Sequence, residues 1–166
     1  MIVGGVSTLL FFSSSSVAQN ARSRDELLSP VTNKTNLYPS NADAKKEIED
    51  AIEKASRQKK RVIIVFGANW CYDCHVLDRA LHEGEAGQMV SERFLLVHVD
   101  IGEANRNLDL VKKYNVTLDK GVPVVAILRS DGKSLYGSNE GEFESARSMM
   151  KKDLVAFLKH WQKAER

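Results

Sequence analysis

Two cysteines in one short segment are the residues of this chain best suited to chemistry. The segment is Trp70-Cys71-Tyr72-Asp73-Cys74-His75, and it lies where an apolar, strand-like run changes to helical periodicity. Cysteines at positions i and i+3 in the first turn of a helix are close enough to form a small disulfide ring. The first cysteine faces the unpaired N–H groups and the positive end of the helix dipole, which favour its thiolate. The spacing therefore predicts Cys71 as the nucleophile of thiol–disulfide exchange and Cys74 as the resolving thiol.

The residues beside and between the cysteines should tune this chemistry. Asp73 places a negative charge within several ångströms of the thiolate, where like charges cost roughly 1 kcal/mol at surface dielectric. Because a less stable thiolate gives a less oxidising pair, Asp73 favours a reductase or an isomerase over a strong oxidant. Trp70 is predicted to shield the thiolate and to contact substrate, and Tyr72 is predicted to be an exposed partner contact.

The surrounding sequence predicts the elements that position this segment. Apolar residues at helical spacing predict a helix that is capped by Ser40 or Asn41 and ends near Lys59. Continuous apolar runs at residues 61–66, 94–100 and 122–128 predict strands covered on both faces. The other predicted elements are helices after Cys71 with a break at residues 84–87, a helix at 108–114, a strand at 134–136 after the Asp131-Gly132 turn, and a last helix at 144–164. This order indicates one α/β domain with a mixed central sheet.

Two motifs in this order resemble the thioredoxin family. One is Trp-Cys-x-x-Cys after a β-branched strand, and the other is Gly121-Val122-Pro123 at the start of a later strand. The resemblance spans about residues 42–161, and residues 74–77, 92–94 and 99–100 further resemble an exported bacterial branch with a longer helix after the cysteines. It implies a thioredoxin-like fold, a central mixed β-sheet flanked by helices. It also implies that Pro123 is cis and faces the cysteines, and that the Val122 backbone pairs with an extended substrate segment.

The same resemblance implies what the protein works with. Its reactive group would be a redox-active Cys71–Cys74 disulfide, with no metal and no dissociable cofactor. Its partners would be protein thiols and disulfides, and an exported reductase would need electrons from a donor in the membrane.

Some positions depart from the family pattern. Many thioredoxins have a buried acid six residues before the first cysteine, where this chain has Val65, and a lysine on the next strand, where it has His98. We therefore expect His98 or a water to receive the proton of Cys74, with His75 as a second candidate for proton transfer. The segment at residues 114–123 is about three residues longer than is usual in the family, which predicts a reshaped loop beside the site.

Other interpretations of the cysteine segment remain open. Cys71 to His75 also matches the C-x-x-C-H attachment sequence of c-type haem, which would make the chain an electron carrier. A non-catalytic binding module with an inert disulfide is a further alternative, although a four-residue loop gains little stability from closure. A zinc site lacks the second cysteine pair that makes such a signal strong. Its ligands would be Cys71, Cys74, His75 and one of His82, His98 or His160.

The N-terminal sequence predicts export. Residues 1–21 carry no charge, and a short apolar stretch is followed by serines and by small residues suited to cleavage after Ala18. We therefore predict a signal peptide at residues 1–18, a polar leader without a motif at 19–40, and the thioredoxin-like domain at 41–166. The expected location is the periplasm or the secreted medium. A membrane anchor is a weaker alternative, because the serine run interrupts the apolar stretch well short of the roughly 20 residues that span a bilayer.

The overall charge gives no sign of a nucleic-acid partner. Among 166 residues, 24 Lys and Arg face 22 Asp and Glu, so the net charge is only +2 and the basic residues are interleaved with acids. We expect neither nucleic-acid binding nor stable membrane insertion after signal cleavage.

Overall fold

The computed structural model describes residues 26–32 and 35–162. The predicted signal peptide, residues 1–18, lies outside the described residues, as do residues 19–25 of the predicted leader. Within the described residues, no helix is both long enough and apolar enough to cross a membrane.

Helices and strands alternate along the described chain. In order they are α1 (Ala44–Gln58), β1 (Arg61–Gly67), α2 (Tyr72–His82), α3 (Gly84–Arg93), β2 (Phe94–Asp100), α4 (Leu108–Lys113), β3 (Val124–Leu128), β4 (Ser134–Gly137) and α5 (Lys151–Trp161), with a short 3-10 turn (Ala146–Ser148) before α5.

The four strands form one mixed sheet in the order β2-β1-β3-β4. β1 is parallel to β2 and antiparallel to β3, and β3 forms a hairpin with β4. Because successive strand residues point to opposite faces, β1 feeds two cores: Ile63 and Val65 pack on one side, and Ile64 on the other. Helices cover both faces, so the predicted thioredoxin-like fold is confirmed.

Three predicted helix starts are wrong. The helix break predicted at residues 84–87 lies instead at Glu83, and α3 begins at Gly84. α1 is capped by Asp43, whose carboxylate accepts the backbone N–H of Lys46, rather than by Ser40 or Asn41. The last helix begins at Lys151 rather than at residue 144, because Met150 is extended and forms a β-bridge with Leu27. The backbone N–H of Leu28 donates to Met149 at 2.9 Å, so the chain before the domain holds this junction out of the helix.

Candidate active site

The cysteines lie at the junction between the central strand and a helix. β1 ends at Gly67, and Cys71 is the N-cap of α2. Cys71 and Cys74 form a disulfide with a Cα–Cα distance of 5.3 Å, and the backbone N–H of Cys74 points at Cys71 Sγ at 3.1 Å. Cys74 is fully buried, while Cys71 retains 5% exposure. The first turn of the helix therefore directs an N–H at Cys71 Sγ, the sulfur that a substrate could reach, while Cys74 Sγ is fully buried.

The proline motif lies against the same sulfur. The Val122–Pro123 peptide bond is cis, as the resemblance implied. The Val122 carbonyl oxygen is 3.5 Å from Cys71 Sγ, and Pro123 is buried directly before β3. The structure thus brings residues 51 positions apart to one reactive atom. Substrate pairing by Val122 stays a prediction.

An open groove of about 610 Å³ lies beside the disulfide. Trp70 forms one wall, with 52% of its surface exposed and its indole N–H donating to the Gly102 carbonyl at 3.0 Å. Part of another wall comes from the segment expected to be longer than usual, through Leu118, Lys120 and Gly121. The remaining lining residues are Ile101, Glu103, Ala104, Val122, Glu144 and Ser145.

Asp73 is not the unbalanced charge that the sequence predicted. Its side chain is buried, and its carboxylate accepts hydrogen bonds from the backbone N–H of Arg147 at 2.8 Å and from the guanidinium at 2.5–3.0 Å. Burial acts to raise the pKa of Asp73, but the hydrogen bonds and charge of Arg147 lower it below its ordinary value. Because Arg147 compensates the negative charge, Asp73 does not favour a reducing pair as the sequence predicted.

Arg147 also holds the other residue between the cysteines. Its guanidinium lies 4.7 Å from the ring centroid of Tyr72, in a cation–π contact. The sequence predicted an exposed Tyr72, but the structure shows that it is half-buried. The two-residue segment is thus clamped by one arginine from the 3-10 turn, which lies 74 positions from Asp73.

The two histidines proposed for proton transfer lie in different surroundings. His75 is buried, and its Nε2 donates to the Asn69 carbonyl at 3.0 Å, because a carbonyl oxygen only accepts. His98 stands opposite Val65 in the parallel ladder. Its Nε2 is 3.1 Å from Asp78 Oδ1, and its ring meets the Tyr38 ring edge-on at 5.3 Å. Proton transfer by either histidine stays a prediction.

Tyr38 belongs to the site although it lies in the leader, where no motif was predicted. Tyr38 is 1% exposed and packs against Cys71 and Cys74. Asn69 fixes it there, because its side chain accepts the Tyr38 backbone N–H and donates to the Tyr38 carbonyl. The signal was the apolar trio Leu37-Tyr38-Pro39 within a polar stretch. Arg147 and Asn69 were also missed, because nothing local marks their distant partners.

The geometry does not favour the haem and zinc alternatives. Both sulfur atoms are joined in the disulfide, and the His75 ring is buried and hydrogen bonded to the backbone. Across residues 26–32 and 35–162, no three His, Cys, Asp or Glu side chains are grouped as a metal site would require.

Removing the arginine clamp should change the redox equilibrium. In Arg147→Ala, the freed Asp73 carboxylate opposes a thiolate at Cys71, so we expect a potential about 10–30 mV more negative, up to a tenfold change in equilibrium constant. Asp73→Asn, which removes the negative charge and keeps Arg147, should make the redox potential less negative. Equilibration with dithiothreitol and thiol trapping measures both. Arg57→Ala, which breaks an exposed ion pair on α1, is the control, and equal shifts in Arg57→Ala and Arg147→Ala would contradict the account.

Gly67 leaves room for the groups behind the disulfide. A Cβ at this position would lie 2.6 Å from Tyr38 Oη and 2.7 Å from Cys74 Sγ. We expect Gly67→Ala to destabilise the oxidised protein by about 1–3 kcal/mol in urea unfolding, because these packed groups must move apart. A double-mutant cycle with Tyr38→Ala is the control, since removing the ring should recover part of the loss. The same loss in both backgrounds would show that the clash is elsewhere.

Comparison with known proteins agrees with this architecture. A family model described as thioredoxin-like matches residues 43–130. A disulphide isomerase from Xylella fastidiosa Temecula1 is 32% identical with a TM-score of 0.71, and the match covers 79% of this chain and 100% of that one. A thioredoxin from Thermus thermophilus, 15% identical with a TM-score of 0.51 over 77% of this chain and 87% of that one, shows the shared fold alone. The curated proteins contain no match.

These matches cover the strand–helix junction, the disulfide and the sheet around them. The chain therefore belongs to the thioredoxin-like family and, by its fold and its Cys71–Cys74 pair, is a thiol–disulfide oxidoreductase.

Proposed function

We propose that the protein exchanges disulfides with protein substrates and works as a disulfide isomerase or reductase rather than as a strong oxidase. The observation that carries this is the contrast between the two cysteines next to an open groove. Cys71 is the N-cap of the helix and keeps 5% of its surface exposed, whereas Cys74 is fully buried. Such a site lets a substrate sulfur approach Cys71 while Cys74 stays out of reach of solvent.

The chemistry follows from the two sulfur environments. In the reduced protein the Cys71 thiolate attacks one sulfur of a substrate disulfide, and the other substrate sulfur leaves with the electron pair. In isomerisation a second substrate thiolate attacks the mixed disulfide and restores Cys71. In reduction Cys74 attacks Cys71, the Cys71–Cys74 bond forms, and the substrate leaves as a thiolate.

The groove supports a polypeptide substrate. It is lined by Trp70, by Val122 and by charges of both signs, Glu103 and Lys120 among them. An extended segment lying along Val122 would bring its cysteine to Cys71 Sγ, which is 3.5 Å from the Val122 carbonyl oxygen. Trp70 offers an exposed apolar face to that segment.

We infer the direction of exchange from a similar protein and not from the charge of Asp73. Because Arg147 compensates that carboxylate, its charge no longer argues for a reducing pair. The similar Xylella protein carries the name disulphide isomerase, and we extend this activity to the present chain.

We also propose that the protein is exported to the periplasm or secreted. The uncharged apolar start and the small residues before Gln19 support this location. Thiols in such compartments tend to be oxidised, so a reduced Cys71–Cys74 pair needs a supply of electrons. A donor in the membrane would provide them.

A trapping experiment tests the proposed exchange. Cys74→Ser should accumulate a mixed disulfide between Cys71 and a protein substrate such as scrambled ribonuclease, because the resolving sulfur is absent. The adduct is measured by non-reducing electrophoresis and mass spectrometry, and the wild-type protein should restore ribonuclease activity.

Cys71→Ser is the matched control for this experiment. It should neither trap substrate nor restore activity, since Cys74 is buried. Equal trapping by both variants would contradict the assigned roles. No adduct and no reactivation by the wild-type protein would favour a binding module with an inert disulfide.

A further inference from the structure

Behind the disulfide lies a buried tyrosine hydroxyl that the exchange chemistry above does not use. Tyr38 Oη and Cys74 Sγ lie 2.6 Å and 2.7 Å from the point that a Gly67 Cβ would occupy, so they are neighbours across the glycine. Tyr38 is 1% exposed, and its hydroxyl has no hydrogen-bond partner among the described residues. Most buried polar atoms are paired, so this one requires an explanation.

An acid, Asp78, lies on the same helix as Cys74 and beside His98, which packs against the Tyr38 ring. Asp78 lies one helical turn after Cys74 on α2, so both side chains share a face. Asp78 Oδ1 is 3.1 Å from His98 Nε2 and 3.3 Å from His82 Nδ1. These are ion-pair distances, yet Oδ1 and His98 Nε2 are buried without a well-directed hydrogen bond to any described residue. Three such atoms therefore collect behind Cys74.

The tyrosine in this cluster keeps its proton. Burial and then the negative charges of Asp78 and Asp100 raise the pKa of Tyr38 above its ordinary value. A neutral hydroxyl both donates and accepts, so it can take a proton from one neighbour only while giving its own to another. Tyr38 is thus suited to pass on a proton from a neighbouring group and does not act as a base by itself.

We propose that the Tyr38 hydroxyl and the Asp78 carboxylate move the proton of Cys74. This inference rests on the proposed exchange function and assigns the task that Val65, without a carboxyl group, cannot perform. Tyr38 packs against Cys74, and Asp78 acts through the Tyr38 hydroxyl. His98 packs edge-on against the Tyr38 ring, and its Nε2, 3.1 Å from Asp78 Oδ1, positions the Asp78 carboxylate.

The step balances in the resolving direction. The Cys74 thiol loses its proton to Tyr38 Oη while the tyrosine's own proton passes to Asp78. The Cys74 electron pair forms the bond to Cys71 Sγ, and the bond from Cys71 to the substrate breaks with its pair on the substrate sulfur. That thiolate takes a proton from water. Asp78 releases its proton to a surface groove of about 280 Å³ that it lines together with His75 and His82.

Other ionisable groups lie around Tyr38 and Asp78, and their effects on a pH profile must be distinguished from those of Tyr38. α2 contributes Asp78 together with His75 and His82, and Asp73 is held by Arg147. β2 contributes His98 and Asp100, and Asp100 pairs with Arg106. Variants of one residue at a time isolate each contribution.

The test is the pH–rate profile of the resolving step. The Cys71 mixed disulfide with a small aromatic thiol is prepared in the full chain, and release of the thiol is followed by its absorbance between pH 5 and 10. We expect Tyr38→Phe and Asp78→Asn to slow release roughly tenfold to hundredfold near neutral pH and to recover towards the wild-type rate at high pH, where Cys74 ionises unaided.

Matched variants and a second readout keep this test specific. Tyr136→Phe removes a different tyrosine hydroxyl, which donates to Glu142, and should leave the profile unchanged. Alkylation of reduced Cys71 by iodoacetamide should be unaffected in Tyr38→Phe, because the nucleophile remains in place.

Each outcome decides between the proposals. A Tyr38→Phe profile equal to that of wild type overturns the inference, and so does a slowing that is the same at every pH, which a packing defect would produce. An Asp78→Asn profile equal to that of wild type overturns the part assigned to Asp78. If the wild-type mixed disulfide never resolves, the proposed exchange function fails instead.

Discussion

The site depends on one constraint, which is that α2 begins shortly after the end of β1. The buried strand delivers the chain to Cys71, and the first turn of the helix directs the Cys74 N–H at Cys71 Sγ. An N–H at a helix N-terminus stabilises an anion because it lacks a partner within the helix. The same turn that activates one sulfur places the other inside the protein, so a single geometric feature assigns two chemical roles.

Segments far apart in the chain complete the site around that turn. Val122 enters from the segment before β3, Arg147 from the 3-10 turn, and Tyr38 from the chain before α1. Val122 contacts Cys71, Arg147 contacts the two residues between the cysteines, and Tyr38 packs against both cysteines. The electrostatics of the pair therefore depend on tertiary contacts, since Arg147 compensates the acid between the cysteines.

The sequence predicted the features that local patterns encode. Continuous apolar runs marked β1, β2 and β3, and the cysteine and proline motifs identified the family and its fold. The start of α5 was wrong because a β-bridge to Leu27 overrides helical periodicity at Met150. The Arg147 contact with Asp73 joins residues 74 positions apart, so no periodic pattern could reveal it. Tyr38 was hidden in a polar stretch, where one aromatic residue is a weak sign of burial.

The central claim is that Cys71 and Cys74 form a reversible redox pair, and its direct test is an equilibrium titration. The oxidised protein is equilibrated with glutathione and dithiothreitol buffers, and its free thiols are trapped and counted by mass. The account predicts one two-electron transition between about −180 mV and −270 mV, the range from protein disulfide isomerase to thioredoxin. A value near about −120 mV would mark a strong oxidant. A pair that does not titrate in either buffer would contradict exchange catalysis altogether.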